Sequence, residues 1–254
     1  MKIENFFKVI KKHKVSFFTG VPDSFLKSFI DYISSEYSAK NHIPSTNEGS
    51  AIALAIGYYL ATEKIPLVYM QNSGFGNCVN PLLSLADKKI YSIPMILLIG
   101  WRGEPKVADE PQHLKQGEIT LKLLKSMGIP YVVIRKDSNN SEITRLIKES
   151  KERSVPIAIV VAKNSFEKIQ FHKKPKSDNR LSREQAISLV VSLSNKNSIF
   201  VSTTGMASRE LYEYRKNNNQ INRDFLTVGG MGHASQIALG IASQKKNKTI
   251  ICID

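Results

Sequence analysis

The chain has 254 residues, of which 42% are hydrophobic and 23% charged, and 36 Lys and Arg against 22 Asp and Glu give a formal charge of +14. That length holds one large α/β domain, or one domain and part of a second, and its longest apolar run, Ile93 to Gly100, is far short of the roughly 18–20 residues that cross a bilayer. The two cysteines, Cys78 and Cys252, have no Cys or His at ligand spacing, which excludes a disulfide framework or a zinc site as the organising device.

Most of the positive charge is lysine, spread singly along the chain. That is the pattern of solvated faces, and its field suits an anionic small substrate better than nucleic acid. The densest run, His172 to Lys176, falls in an expected linker. Residues 1–7 are amphipathic and lack the apolar stretch and cleavage site of a signal peptide, so a cytoplasmic location is expected.

Helix and strand patterns alternate from the start, as in a parallel sheet flanked by helices. Residues 2–13 predict an amphipathic helix and Val15–Thr19 a short strand. The turn Gly20-Val21-Pro22-Asp23-Ser24 opens a helix to about Tyr37. Ile43–Ser45 reads as an edge-like strand, and Asn47 caps a helix running to Thr62. Leu67–Met70 is a strand, Gln71–Asn80 a Gly- and Asn-rich loop, and a helix follows through Leu85. Pro94–Ile99 is a buried strand, 100–115 a polar loop, and 116–126 a helix. Strands at 131–134 and 156–161 bracket a helix at 140–152. About six strands with right-handed crossovers are therefore expected, as one α/β domain over residues 1–163. Residues 164–181 read as a linker. The alternation resumes in 182–254: helix 182–194, strand 199–202, helix 205–216, a Gly-rich turn Gly229–Gly232 opening a helix to about Ser243, and a strand at 249–253.

The segment Asn47-Glu48-Gly49-Ser50-Ala51-Ile52-Ala53 places one carboxylate at the first turn of a helix built from small and apolar residues. Two readings stand: a surface Glu complementing the helix dipole, or a buried carboxylate in need of a partner. The turn carrying Asp23 and Ser24 caps a helix or contacts a ligand, and the two roles are compatible. Met70 to Asn77 supplies glycines and amides that can approach a ligand closely. Gly100-Trp101-Arg102-Gly103-Glu104-Pro105 and Asp109-Glu110-Pro111-Gln112-His113 form one polar loop at the C-terminal end of a strand, where open α/β sheets bind ligands. Arg102 or His113 can hold an anionic head group, unless the loop's charges simply pair with each other.

Taken in order, these segments resemble thiamine-diphosphate-dependent 2-oxo-acid decarboxylases, and the double loop 100–113 looks most like the phosphonopyruvate and sulfopyruvate decarboxylases. The resemblance implies a thiamine-diphosphate-binding α/β fold with a six-stranded parallel sheet, residues 1–163 being the pyrimidine-binding domain and 182–254 part of an incomplete diphosphate-binding domain. It implies Glu48, His113 and Asp23 as catalytic groups and Ser24, Asn72, Arg102 and His233 as substrate contacts. Glu48, Gly74, Thr203, Thr204, Gly205, Gly230 and Met231 would meet the cofactor, with Glu48 bonding its aminopyrimidine and Met231 wedging it into a bent shape. Residues 105–108 read Pro-Lys-Val-Ala where the family has a glycine.

The family's Gly-Asp-Gly metal signature, which holds Mg²⁺ on the diphosphate, is expected just beyond Ile251–Asp254. The chain is accordingly expected to be the front part of a longer enzyme and not to bind the cofactor productively alone. The implied reaction is decarboxylation of 3-phosphonopyruvate to phosphonoacetaldehyde and CO₂ in phosphonate biosynthesis, by a homo-oligomer that is at least a dimer. Sulfopyruvate decarboxylase is the nearest alternative. An acetolactate-synthase-like carboligase, a basic nucleic-acid-binding module and an inactive fragment are more distant ones.

Overall fold

The structure, a computed structural model, describes residues 1–168 and 180–254. The run His172–Lys176 and most of the expected linker lie outside the described residues. The chain divides into two compact units, Met1–His172 and Lys173–Asp254.

The first unit runs α1 (Ile3–Lys12), β1 (Phe18–Gly20), α2 (Lys27–Glu36), β2 (His42–Pro44), α3 (Glu48–Thr62), β3 (Leu67–Gln71), α4 (Val79–Pro81), β4 (Ile96–Gly100), α5 (Pro111–Ser126), β5 (Tyr131–Ile134), α6 (Asn140–Arg153) and β6 (Ile157–Val161). Its six strands are all parallel, in the order β2-β1-β3-β4-β6-β5. The α/β fold with a six-stranded sheet expected from the alternation is the one observed.

Both faces of this sheet are covered, so its central strands are continuous apolar runs and not alternating ones. Side chains still alternate by face. Leu67, Tyr69, Ile96, Leu98, Ile157 and Ile159 pack with Phe6, Phe7 and Ile10 of α1, Phe29 of α2 and Ile147 of α6. Val68, Met70, Leu97, Ile99, Ala158 and Val160 pack with Ala51, Ile52 and Ala55 of α3 and Leu124 of α5. Each of the larger side chains so buried contributes about 1.5–3 kcal/mol.

The chain moves outward from β1 to β2 and then returns to the other side of β1 for β3. Where strand order reverses like this, the loops leaving the C-terminal strand ends part and open a crevice. The segments after β1, β3 and β4 carry Asp23, Ser24, Asn72, Gly74, Arg102 and His113, and Glu48 follows β2.

Two boundaries differ from the sequence reading. Residues 72–86 do not form a loop and a helix but continuous helical turns: a 3₁₀ stretch (Asn72–Cys78), α4 and a π turn (Leu82–Ala86). Helix α5 begins at Pro111, five residues ahead of the expected 116, with the proline at its first turn, where its missing N–H costs nothing. His113 is therefore a first-turn helix residue.

The second unit has α7 (Arg183–Leu193), β7 (Ile199–Ser202), α8 (Met206–Asn217), β8 (Phe225–Leu226), α9 (Ala234–Gln244) and β9 (Ile250–Ile253). Its parallel sheet is ordered β8-β7-β9. Ile187 and Val191 of α7, Phe200 and Leu211 pack on one face, and Ala234 and Ala238 of α9 pack with Val201 on the other. Ser182 and Gln185 form a capping box at the start of α7. Strand β8, only two residues long, falls where the sequence suggested a loop.

Candidate active site

Three strand ends meet at Asp23. Gly20 lies so close to β3 that a Cβ there would stand 1.9 Å from the Tyr69 carbonyl oxygen, so the turn into residues 21–24 requires glycine. Asp23 then caps the 3₁₀ turn Ser24–Leu26, accepting from the Phe25 N–H at 3.2 Å. Its other oxygen accepts from Gln71 Nε2 at 3.0 Å, and Gln71 Oε1 in turn accepts from the Ser73 hydroxyl at 2.6 Å. Behind it, a Cβ on Gly100 would lie 2.0 Å from Asp23 Oδ1. The carboxyl is thus pressed onto bare backbone at the end of β4. Burial raises its pKa above the ordinary carboxylate value, against the lowering effect of the Gln71 and Phe25 donors and of Arg102.

Arg102 follows β4 and is claimed by Asp109. Its Nε and Nη2 donate to the two carboxylate oxygens at 2.8 and 2.5 Å, and the Gly103 and Glu110 N–H groups add 2.8 Å bonds to the same carboxylate. With this many donors, Asp109 is held far below the usual carboxylate range. The guanidinium keeps one edge, Nη1, which faces Ser24 Oγ at 3.3 Å, and it stacks 4.8 Å from the Phe25 ring centroid. Asn72, 2% exposed, is fully engaged: its amide donates to the Arg102 carbonyl and to Thr120 Oγ1 and accepts from the Arg102 N–H. The structure therefore gives Asn72 the work of clamping the Arg102 backbone.

On the first turn of α5, His113 has its pKa lowered by burial and by Arg102, which favours the neutral ring. Its buried Nδ1 has no hydrogen-bond partner among the described residues. Beside it, Gly103 and Gly117 pack backbone to backbone; a Cβ on Gly117 would fall 1.6 Å from the Gly103 carbonyl oxygen. In the stretch where a glycine was expected, Lys106 adopts φ +68°, a left-handed conformation that costs an L-residue about 1 kcal/mol.

Glu48 opens α3 directly after the Asn47 cap, whose side chain accepts from Ser50 N–H. It is 9% exposed. Asn77 Nδ2 donates to Glu48 Oε2 at 2.8 Å, while Oε1 lies against Gly74, where a Cβ would be only 1.9 Å away. No hydrogen bond or ion pair to a described residue reaches Oε1. The carboxylate receives one amide donor and no cation, and Oε1 is open to a further partner. It fits a group that brings its own donor, such as the protonated ring nitrogen of an aminopyrimidine, while its place in the first turn of α3 also suits the helix dipole. The same carboxylate adds to burial in pushing the Cys78 thiol up.

In the second unit, Thr203 and Thr204 lead from β7 into α8 through Gly205, at φ +88°. Thr203 and Thr204 are half-buried and Gly205 exposed, an open helix N-terminus of the kind that suits an anion. Gly230 and Gly232 both have positive φ, and Met231 between them is 59% exposed. His233 Nδ1 turns back to the Gly230 and Met231 carbonyls at 3.1 Å, which makes Nδ1 the donor.

The first unit thus gathers Asp23, Ser24, Asn72, Arg102 and His113 around one crevice, and sets Glu48 against Gly74. Gln71, Asn77 and Asp109 share these sites and were not singled out from the sequence. Their signal is weak in sequence: two amides inside a Gly- and Asn-rich run, and an acid whose partner lies seven residues back.

Residues 3–124 match the family profile described as thiamine pyrophosphate enzyme, N-terminal TPP binding domain. A phosphonopyruvate decarboxylase of Streptomyces viridochromogenes is 29% identical over 91% of this chain and 61% of its own length. A sulfopyruvate decarboxylase subunit alpha of Methanococcus maripaludis is 36% identical over 62% of this chain and 92% of its own length. Among solved structures, benzoylformate decarboxylase from Polynucleobacter necessarius shares the fold, with a TM-score of 0.55 and 17% identity over 80% of this chain and 39% of that one. The chain thus spans less than two thirds of the Streptomyces relative but nearly all of the Methanococcus subunit. It belongs to the thiamine pyrophosphate enzyme family, in the group that holds the phosphonopyruvate and sulfopyruvate decarboxylases.

Proposed function

We propose that this chain serves a thiamine-diphosphate-dependent decarboxylase of a small anionic 2-oxo acid, 3-phosphonopyruvate, yielding phosphonoacetaldehyde and CO₂. Residues 1–163 act as the pyrimidine-binding domain, 164–181 as a linker, and 182–254 as part of the diphosphate-binding domain of a cytoplasmic homo-oligomer. The observation that carries the reading is the Glu48 carboxyl, secluded against Gly74 with Oε1 unbonded.

Thiamine diphosphate, when bound, supplies the electron sink for loss of CO₂. Glu48 would offer its free oxygen to the pyrimidine nitrogen, and Asn77 fixes the orientation of the carboxyl. Arg102 offers Nη1, beside the Ser24 hydroxyl, to the anionic end of the acid. Asp23 and neutral His113 lie close enough to Arg102 to feel its charge and handle protons there. Thr203, Thr204 and Gly205 would hold the diphosphate, whose charge Mg²⁺ would neutralise. Gly230 and Met231 would support the cofactor, and His233 would be a substrate contact.

Sulfopyruvate is the second reading, favoured by the 36% identity with the Methanococcus sulfopyruvate subunit. A saturation assay with both acids separates them. A kcat/KM at least tenfold higher for phosphonopyruvate, about 1.4 kcal/mol of discrimination, is expected; equal or better turnover of sulfopyruvate reverses the order.

A further inference from the structure

The side chain of Gln71 sits between a buried carboxyl and a hydroxyl. Nε2 donates to Asp23 Oδ2 at 3.0 Å, and Oε1 accepts from Ser73 Oγ at 2.6 Å. A primary amide has a donor end and an acceptor end, whereas a hydroxyl both donates and accepts. The arrangement therefore works in two senses. With Asp23 ionised, the amide NH₂ faces the carboxylate and Ser73 donates to Oε1. With Asp23 protonated, the amide turned end for end accepts the acid proton on Oε1 and donates through Nε2 to Ser73 Oγ. No proton leaves the trio when the amide turns; Asp23 alone gains or loses one. Asp23 is 6% exposed and has backbone packed behind it at Gly100, so water is a poor substitute for either bond.

We propose that Gln71, oriented by Ser73, is a positioning residue that keeps Asp23 hydrogen-bonded and in place in both its protonated and its ionised forms. A backbone N–H or an arginine can donate to a carboxyl but cannot accept the proton of its acid form; Gln71 can do either, which suits a group that takes up and gives back a proton during each turnover. The charged and titratable side chains facing Asp23 are Arg102, which favours the ionised form, and His113, whose ring senses the Asp23 charge. Burial opposes both. The inference rests on the proposed role of Asp23 for its catalytic meaning, and on geometry alone for the pairing.

The test is the titration of the Asp23 carboxyl by carbon NMR on the 254-residue chain, with the near-isosteric Gln71→Met and with Gln71→Glu. Gln71→Met, which serves neither form, is expected to raise the midpoint by about one unit, because the bond it removes is stronger to the charged form. Gln71→Glu raises it further, since two carboxyls then share a proton. Ser73→Ala weakens both senses alike and moves the midpoint less than either. An Asp23 midpoint unmoved in Gln71→Glu overturns the pairing even if Gln71→Met fails to fold.

In the active enzyme, the acidic limb of the kcat profile follows the Asp23 midpoint in the Gln71 variants, with KM within about twofold of wild type. A moved midpoint with an unmoved rate profile leaves the pairing standing and removes Asp23 from the reaction.

Discussion

Asp109 and Glu48 are two carboxylates of the first unit with opposite surroundings. The Asp109 side chain is 6% exposed and receives the Nε–Nη2 edge of Arg102 and two backbone N–H groups. Glu48 is 9% exposed and receives one amide. A carboxylate with every lone pair spoken for holds its loop in shape and has nothing left to offer a ligand. One with an oxygen pressed against glycine and unbonded is unfinished until a ligand completes it. Burial alone does not separate structural acids from functional ones; the count of donors does.

Substitutions can break that contrast. The largest effect on stability is expected from Asp109→Ala, which leaves the largely buried Arg102 side chain and two backbone donors unpaired. A loss of about 3 kcal/mol in urea unfolding is expected. Because the folded Asp109 titrates well below its unfolded value, its contribution is present at neutral pH and fades as pH falls below about 4. The wild type and Asp109→Asn should therefore converge in stability on acidification, and a gap that stays constant down to acid pH would contradict the assignment.

Asn72→Ala removes the clamp between Arg102 and Thr120, and about 2 kcal/mol of stability should go with it. Gly74→Ala tests the other carboxyl. Its methyl would sit 1.9 Å from Glu48 Oε1, so either the 3₁₀ stretch or Glu48 must shift, at about 1–3 kcal/mol. Cofactor affinity measured by fluorescence titration should fall more than stability does; unchanged affinity would mean that Glu48 does not meet the cofactor. The smallest effect is expected at Lys106, where φ is +68°. Lys106→Gly should be more stable than Lys106→Val by about 1–2 kcal/mol, read by thermal unfolding.

The fold was plain in the sequence because the buried strands are unbroken apolar runs such as Ile96–Gly100 and Ile157–Val161, bounded by turn residues. The start of α5 was obscured because Asp109, Glu110 and Pro111 read as loop composition, although a proline after an acid also opens a helix. The glycines of residues 72–78 suggest a loop, yet one of them, Gly74, lets the turns coil tightly against Glu48. Two-residue β8 carries no periodicity to detect. At the site, Glu48 was visible as the lone acid on a small-residue helix. Gln71 and Asn77 were not, because an amide's role is set by what faces it across the crevice, and that comes from strand order, not spacing.

The most direct test of Glu48 is hydrogen–deuterium exchange at C2 of bound thiamine diphosphate in Glu48→Gln of the complete enzyme. The variant keeps the shape of the side chain and its contact with Asn77 and loses only the acid. Exchange at least about a hundredfold slower than wild type, with unfolding unchanged, is the expected result. Exchange at the wild-type rate in a variant with cofactor bound would contradict the account.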